Sequence, residues 1–106
     1  MVRFIIAAMI WAMAGSAQAQ QVGSAEEGLR LACEACAECH LVEKTAGYST
    51  NADAPTFEAI AKTPGMTSTA LTVALQTSHS TMPNIVIKGD DAMNIIAYIL
   101  SLKEGD

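Results

Sequence analysis

Five consecutive residues, Cys36-Ala37-Glu38-Cys39-His40, constrain this chain more than any other feature. C-x-x-C-H is the attachment pattern of a c-type haem. Two cysteines three residues apart lie on one face of a helical turn, so both sulfurs can reach one porphyrin edge and add to its two vinyl groups. The adjacent His40 can then turn under the ring and offer a nitrogen to the iron. Alone, C-x-x-C also fits a disulfide, a thioredoxin-like redox pair or half of a zinc site. The rest of the chain decides among these.

The N-terminus carries an export pattern. Arg3 is followed by the apolar run Phe4 to Ala14 and then by Gly15-Ser16-Ala17-Gln18-Ala19, which ends in an A-x-A cleavage signal. The expectation is a secretory signal peptide over residues 1–19 and a mature domain over 20–106. The apolar run falls well short of the ~20 residues that span a bilayer, so a membrane anchor is the weaker reading. The whole chain has 106 residues and a net charge of −5, which becomes one unit more negative when Arg3 leaves with the signal. Such a small, acidic chain has no basic patch for nucleic acid. Its core is also marginal in size and calls for a staple, which a covalently held porphyrin supplies.

Four helices are expected. Ser24 and Glu27 form a capping box for the first, from Ala25 to about Cys36. Leu29, Ala32 and Cys36 share its apolar stripe, with Cys33 alongside, one turn before Cys36 and expected on the same face. Gly28 lies inside this helix at a cost of roughly 1 kcal/mol against alanine, and reads either as a tolerated surface glycine or as a point of close approach for another helix. Leu41 to Asp53 reads as loop. Pro55 stands near the first position of a short helix that runs to about Lys62 and is stopped by Thr63-Pro64-Gly65. Thr67 or Ser68 caps a third helix reaching about Thr77, with Leu71, Ala74 and Leu75 inward. A second loop, Ser78 to Gly89, holds His79, Met82, Pro83 and the apolar Ile85-Val86-Ile87, which packs as loop or pairs as a strand. Asp90 caps the last helix, Asp91 to about Leu102, with Ile95, Ile96, Ile99 and Leu102 as its main stripe. The fold class is all-α: short helices and loops wrapped around one haem.

In this order the pieces resemble a class I monohaem cytochrome c, of the small bacterial periplasmic kind. The likeness rests on C-A-E-C-H behind a capped helix, on A-P-T-F, T-P-G-M-T and T-S-H-S-T-M-P-N, and on A-Y-I-L-S-L in the last helix. It spans essentially Ser24 to Lys103. It implies thioether bonds from Cys36 and Cys39 to one haem c, and iron held by His40 and Met82. It also implies a close helix crossing at Gly28 and Tyr98, and a Pro55 carbonyl that orients His40. The chain departs from the family in its third cysteine, Cys33, in the absence of tryptophan after the signal segment, and in its acidic charge.

The function so implied is single-electron transfer in the periplasm by a monomer that is not an enzyme. Its donor and acceptor would be redox proteins: a dehydrogenase, an oxidase or another cytochrome. Two other readings stand beside it. A haem sensor or peroxidase-like protein would have an open distal site, and His79 would be the rival to Met82. An iron–sulfur carrier would use Cys33, Cys36 and Cys39, but such clusters take a fourth cysteine, which the chain lacks.

Overall fold

The computed structural model describes residues 23–77, 82, 85, 87 and 89–104. The expected signal segment, His79, Pro83 and Val86 lie outside the described residues. Within them the chain is helical: α1 (Ala25–Ala35), α2 (Phe57–Ala61), α3 (Ser68–Gln76) and α4 (Gly89–Ser101), followed by a 3-10 turn, Leu102–Glu104. No strand occurs among the described residues, and Ile85 and Ile87 stand as loop.

The helix α4 is the centre of the packing. Ala92, Ile95, Ile96, Ala97, Tyr98 and Ile99 are all buried, which covers most of its circumference rather than one stripe. That pattern requires neighbours on several sides, and α1, α2 and α3 all pack against it. The crossing with α1 is the tightest. A Cβ on Gly28 would overlap the Asn94 carbonyl and come within 2.8 Å of the Tyr98 Cβ. Glycine is therefore needed for backbone-to-backbone approach, a gain that outweighs its poor helix propensity. Ala32, fully buried one turn on, continues the same small-residue face.

Caps fix the helix starts, with three departures from expectation. The Ser24 hydroxyl accepts from the Glu27 N–H at 3.3 Å, but Glu27 does not complete the capping box. The Ser24 N–H instead donates to Asn94 Oδ1 on α4 at 2.8 Å, and the Glu27 carboxylate pairs with Arg30. A tertiary partner thus replaces the local one. Pro55 does not enter α2. Thr56 is its N-cap, accepting from the Ala59 N–H at 3.1 Å, and this leaves the Pro55 carbonyl free to point elsewhere. Asp90 does not cap α4 but lies in its first turn with Asp91, where both carboxylates meet the positive end of the dipole. Thr67 caps α3 as expected.

Candidate functional site

The C-terminal end of α1 delivers the pentapeptide. Cys36 is the C-cap, its N–H bonded to the Ala32 carbonyl at 2.8 Å. The turn continues with the Cys39 and His40 N–H groups both donating to the Cys36 carbonyl, at 3.2 and 2.9 Å. This tight turn sets two thiols and an imidazole along one wall. Cys36, Cys39, His40 and Met82, the four candidates, all line one cavity of about 460 Å³. That volume lies in the range of about 300–1,000 Å³ usual for cofactor sites. The remaining walls are mostly apolar: Phe57, Ile60, Leu71, Ala74, Leu75, Ile85 and Ile99.

Hydrogen bonds orient His40. Its Nδ1 lies 2.6 Å from the Pro55 carbonyl oxygen. A carbonyl only accepts, so Nδ1 is the donor, and in the neutral ring this leaves the lone pair on Nε2. The segment 49–57 holds the residues around it. The Asn51 N–H donates to the Cys39 carbonyl at 3.2 Å, Thr50 Oγ1 to the Glu38 carbonyl at 2.9 Å, and the Leu41 N–H to Ser49 Oγ at 3.0 Å. The Phe57 N–H donates to the Leu41 carbonyl at 2.9 Å, and the Phe57 ring lies 5.5 Å from the His40 ring. Sequence reasoning anticipated Pro55 but none of these other braces. Ser49, Thr50 and Asn51 look like ordinary loop residues, and no spacing marks them as partners of the pentapeptide.

The three cysteines are not equivalent. Cys36 is buried, Cys39 partly so, and Cys33 exposed. Burial, with a lesser contribution from neighbouring Cys33, pushes the Cys36 thiol up from its ordinary value and keeps it protonated. Although Cys33 is one turn before Cys36, it lines a separate hollow of about 230 Å³ beside Val42, Glu43 and Tyr48. This corrects the expectation that it shares the Cys36 face. Among the described residues no three His, Cys, Asp or Glu side chains converge as metal ligands. The cysteine triplet is therefore not arranged as a cluster-binding set.

A second methionine, Met66, reaches the cavity beside Met82, whereas Met93 is exposed on α4.

A helical shell closed on an apolar cavity, with two thiols and an oriented histidine on one wall, is the architecture of a c-type haem protein. The donor set fits the group: thiols for vinyl carbons, an unprotonated nitrogen for iron, and hydrocarbon walls for a porphyrin face. The chain is 33% identical over 95 residues to cytochrome c-552 of Bradyrhizobium diazoefficiens, covering 90% of this chain and 90% of that protein. No family model and no solved structure matches it. The chain belongs to the cytochrome c family as a small class I member, with covalently bound haem c and its iron as cofactor and electron transfer as its role.

Proposed function

We propose that this protein is an exported single-electron carrier whose iron is held between His40 and Met82. The observation that carries the reading is the shared cavity: Cys36, Cys39 and His40 on one wall, with Met82 also lining it. The cofactor supplies one-electron reduction and oxidation of iron, favoured toward the ferrous state by Met/His ligation. The chain's own residues do the rest. Cys36 and Cys39 would hold the porphyrin edge through thioethers, each S–H adding across one vinyl group. His40 offers Nε2 while Pro55 holds its Nδ1–H, which fixes ring orientation and raises ligand basicity. Leu71, Leu75, Ile60 and Ile99 line the cavity with hydrocarbon and would exclude water from the bound group, limiting solvent reorganisation when its charge changes.

Residues 1–19 serve in this reading as a cleaved signal peptide, and the periplasm is the site of action. Among the described residues no helix is long and apolar enough to cross a membrane. The partners are redox proteins that donate and accept single electrons.

Met66 is the competing sixth ligand, since its side chain also lines the cavity. The ferric holoprotein with Met82 bound should show the weak long-wavelength charge-transfer band of methionine–iron ligation. Met82→Ala should abolish the band, lower the midpoint potential and admit added imidazole or cyanide at the iron. A band that survives in Met82→Ala and vanishes in Met66→Ala would move the assignment to Met66. High-spin iron in the unsubstituted protein would favour the sensor or peroxidase-like reading instead.

A further inference from the structure

The polar end of one buried side chain is used by neither the helix crossing nor the cavity. Tyr98 lies in the middle of α4, beneath Gly28 of α1, with its ring 6.3 Å from that of Phe57. Its hydroxyl donates to the Val42 carbonyl at 2.5 Å. Val42 is buried and stands two residues beyond His40.

The braces around His40 fall into two kinds. Pro55, Ser49 and Asn51 belong to the loop that follows the pentapeptide, and the Phe57 N–H to the junction of that loop with α2. The Tyr98 bond is different, because its donor sits on the central helix. It joins the His40–Val42 stretch to an element that α1, α2 and α3 hold in place. The Phe57 ring carries a second link along the same line, lying between Tyr98 and His40.

We propose that the Tyr98 hydroxyl is a positioning group for His40, anchoring the Val42 carbonyl to α4 and so fixing the plane of the imidazole at the iron. The proposal rests on the reading of His40 as a ligand. Loss of the hydroxyl leaves a buried carbonyl without a donor. Such a group costs more than the bond it loses, so the backbone at Val42 shifts to find a new partner and carries His40 with it. Burial, then the nearby Cys33 thiol and Glu43 carboxylate, raises the Tyr98 pKa, which is consistent with a hydroxyl that remains a donor.

The test uses the haem-loaded full chain. Tyr98→Phe keeps the ring, and with it the Gly28 crossing and the Phe57 contact. Ser24→Ala removes a cap bond far along α1 and serves as a control for lost stability alone. Ser49→Ala removes a brace from within the loop. Ferric proton NMR reads the orientation of the imidazole through the hyperfine shifts of the haem methyls and the His40 ring, and a redox titration reads the midpoint potential. Tyr98→Phe should rearrange the methyl shift pattern and lower the potential at unchanged haem content. Ser24→Ala should match the parent in both, and Ser49→Ala should move them less than Tyr98→Phe. Parental shifts and potential in Tyr98→Phe would reduce the hydroxyl to a structural bond and overturn the proposal. So would a larger displacement in Ser49→Ala. A parent protein with covalent haem but without hyperfine-shifted imidazole signals would instead remove the ligand reading, and the proposal with it.

Discussion

The two sides of the cavity are held by different forces. On the His40 side, directional bonds hold backbone groups of Glu38, Cys39, Leu41 and Val42: Thr50 on Glu38, Asn51 on Cys39, Ser49 and Phe57 on Leu41, Tyr98 on Val42, and Pro55 on the imidazole itself. On the α3 side, the cavity is met by Leu71, Ala74 and Leu75, with Met66 before the helix. These contribute apolar area, and none offers a hydrogen bond to the cavity from its side chain. The contrast suits the chemistry. A nitrogen ligand must be aimed within a few tenths of an ångström and by its lone pair, whereas a porphyrin face needs contact and dryness. Hydrogen bonds supply direction, and burial supplies area without direction.

The comparison breaks most readily on the α3 side. Leu71 is buried, and Leu71→Ala should cost ~2–5 kcal/mol in denaturant unfolding of the holoprotein. The His40 hyperfine shifts should nonetheless stay at their parental values, because none of the braces named above involves α3. A matching disturbance of the imidazole signals would show that the two sides are not independent.

Alkaline pH acts on the His40 side, with a smaller effect. The Tyr98 pKa is raised in the fold, by burial first and then by Cys33 and Glu43. A raised value means that the stabilisation is fully present below the ordinary tyrosine value, about 10, and is lost as pH rises through the folded value. The stability difference between the parent and Tyr98→Phe should therefore hold steady at neutral pH and shrink above about pH 10. Leu71→Ala has no such titrating group, so its deficit should stay level over the same range. Denaturant midpoints for the three proteins between pH 7 and 11 read both slopes. A Tyr98→Phe difference that does not change with pH would contradict the role given to the hydroxyl proton.

Local chemistry was readable from the residues, and tertiary substitution was not. The four helices, the Thr67 cap and the loop through Leu41 to Asp53 follow from period, capping and turn residues, and the structure keeps them. Pro55 was legible as the partner of His40 through the family resemblance, and the bond is there. Its expected place at the head of α2 was not, because the Thr56 hydroxyl caps that helix better than a proline can. Glu27 met every local requirement of a capping box, yet Asn94, seventy residues away in sequence, took the Ser24 N–H. No local pattern encodes such a partner. Cys33 shows the limit of periodicity: positions i and i+3 are helix neighbours about 60° apart, and spacing alone does not say that Cys33 lines a different hollow from the cavity lined by Cys36.

In the proposed arrangement Cys36 and Cys39, and not Cys33, hold the cofactor while His40 ligates its iron. The most direct measurement is mass spectrometry of the matured protein after alkylation under denaturing conditions, with peptide mapping across α1 and the pentapeptide. The account predicts an intact mass one haem above that of the polypeptide, colour that acid–acetone does not extract, thioether modification at Cys36 and Cys39, and alkylation at Cys33 alone. Extractable haem, or a thioether mapped to Cys33, would contradict it.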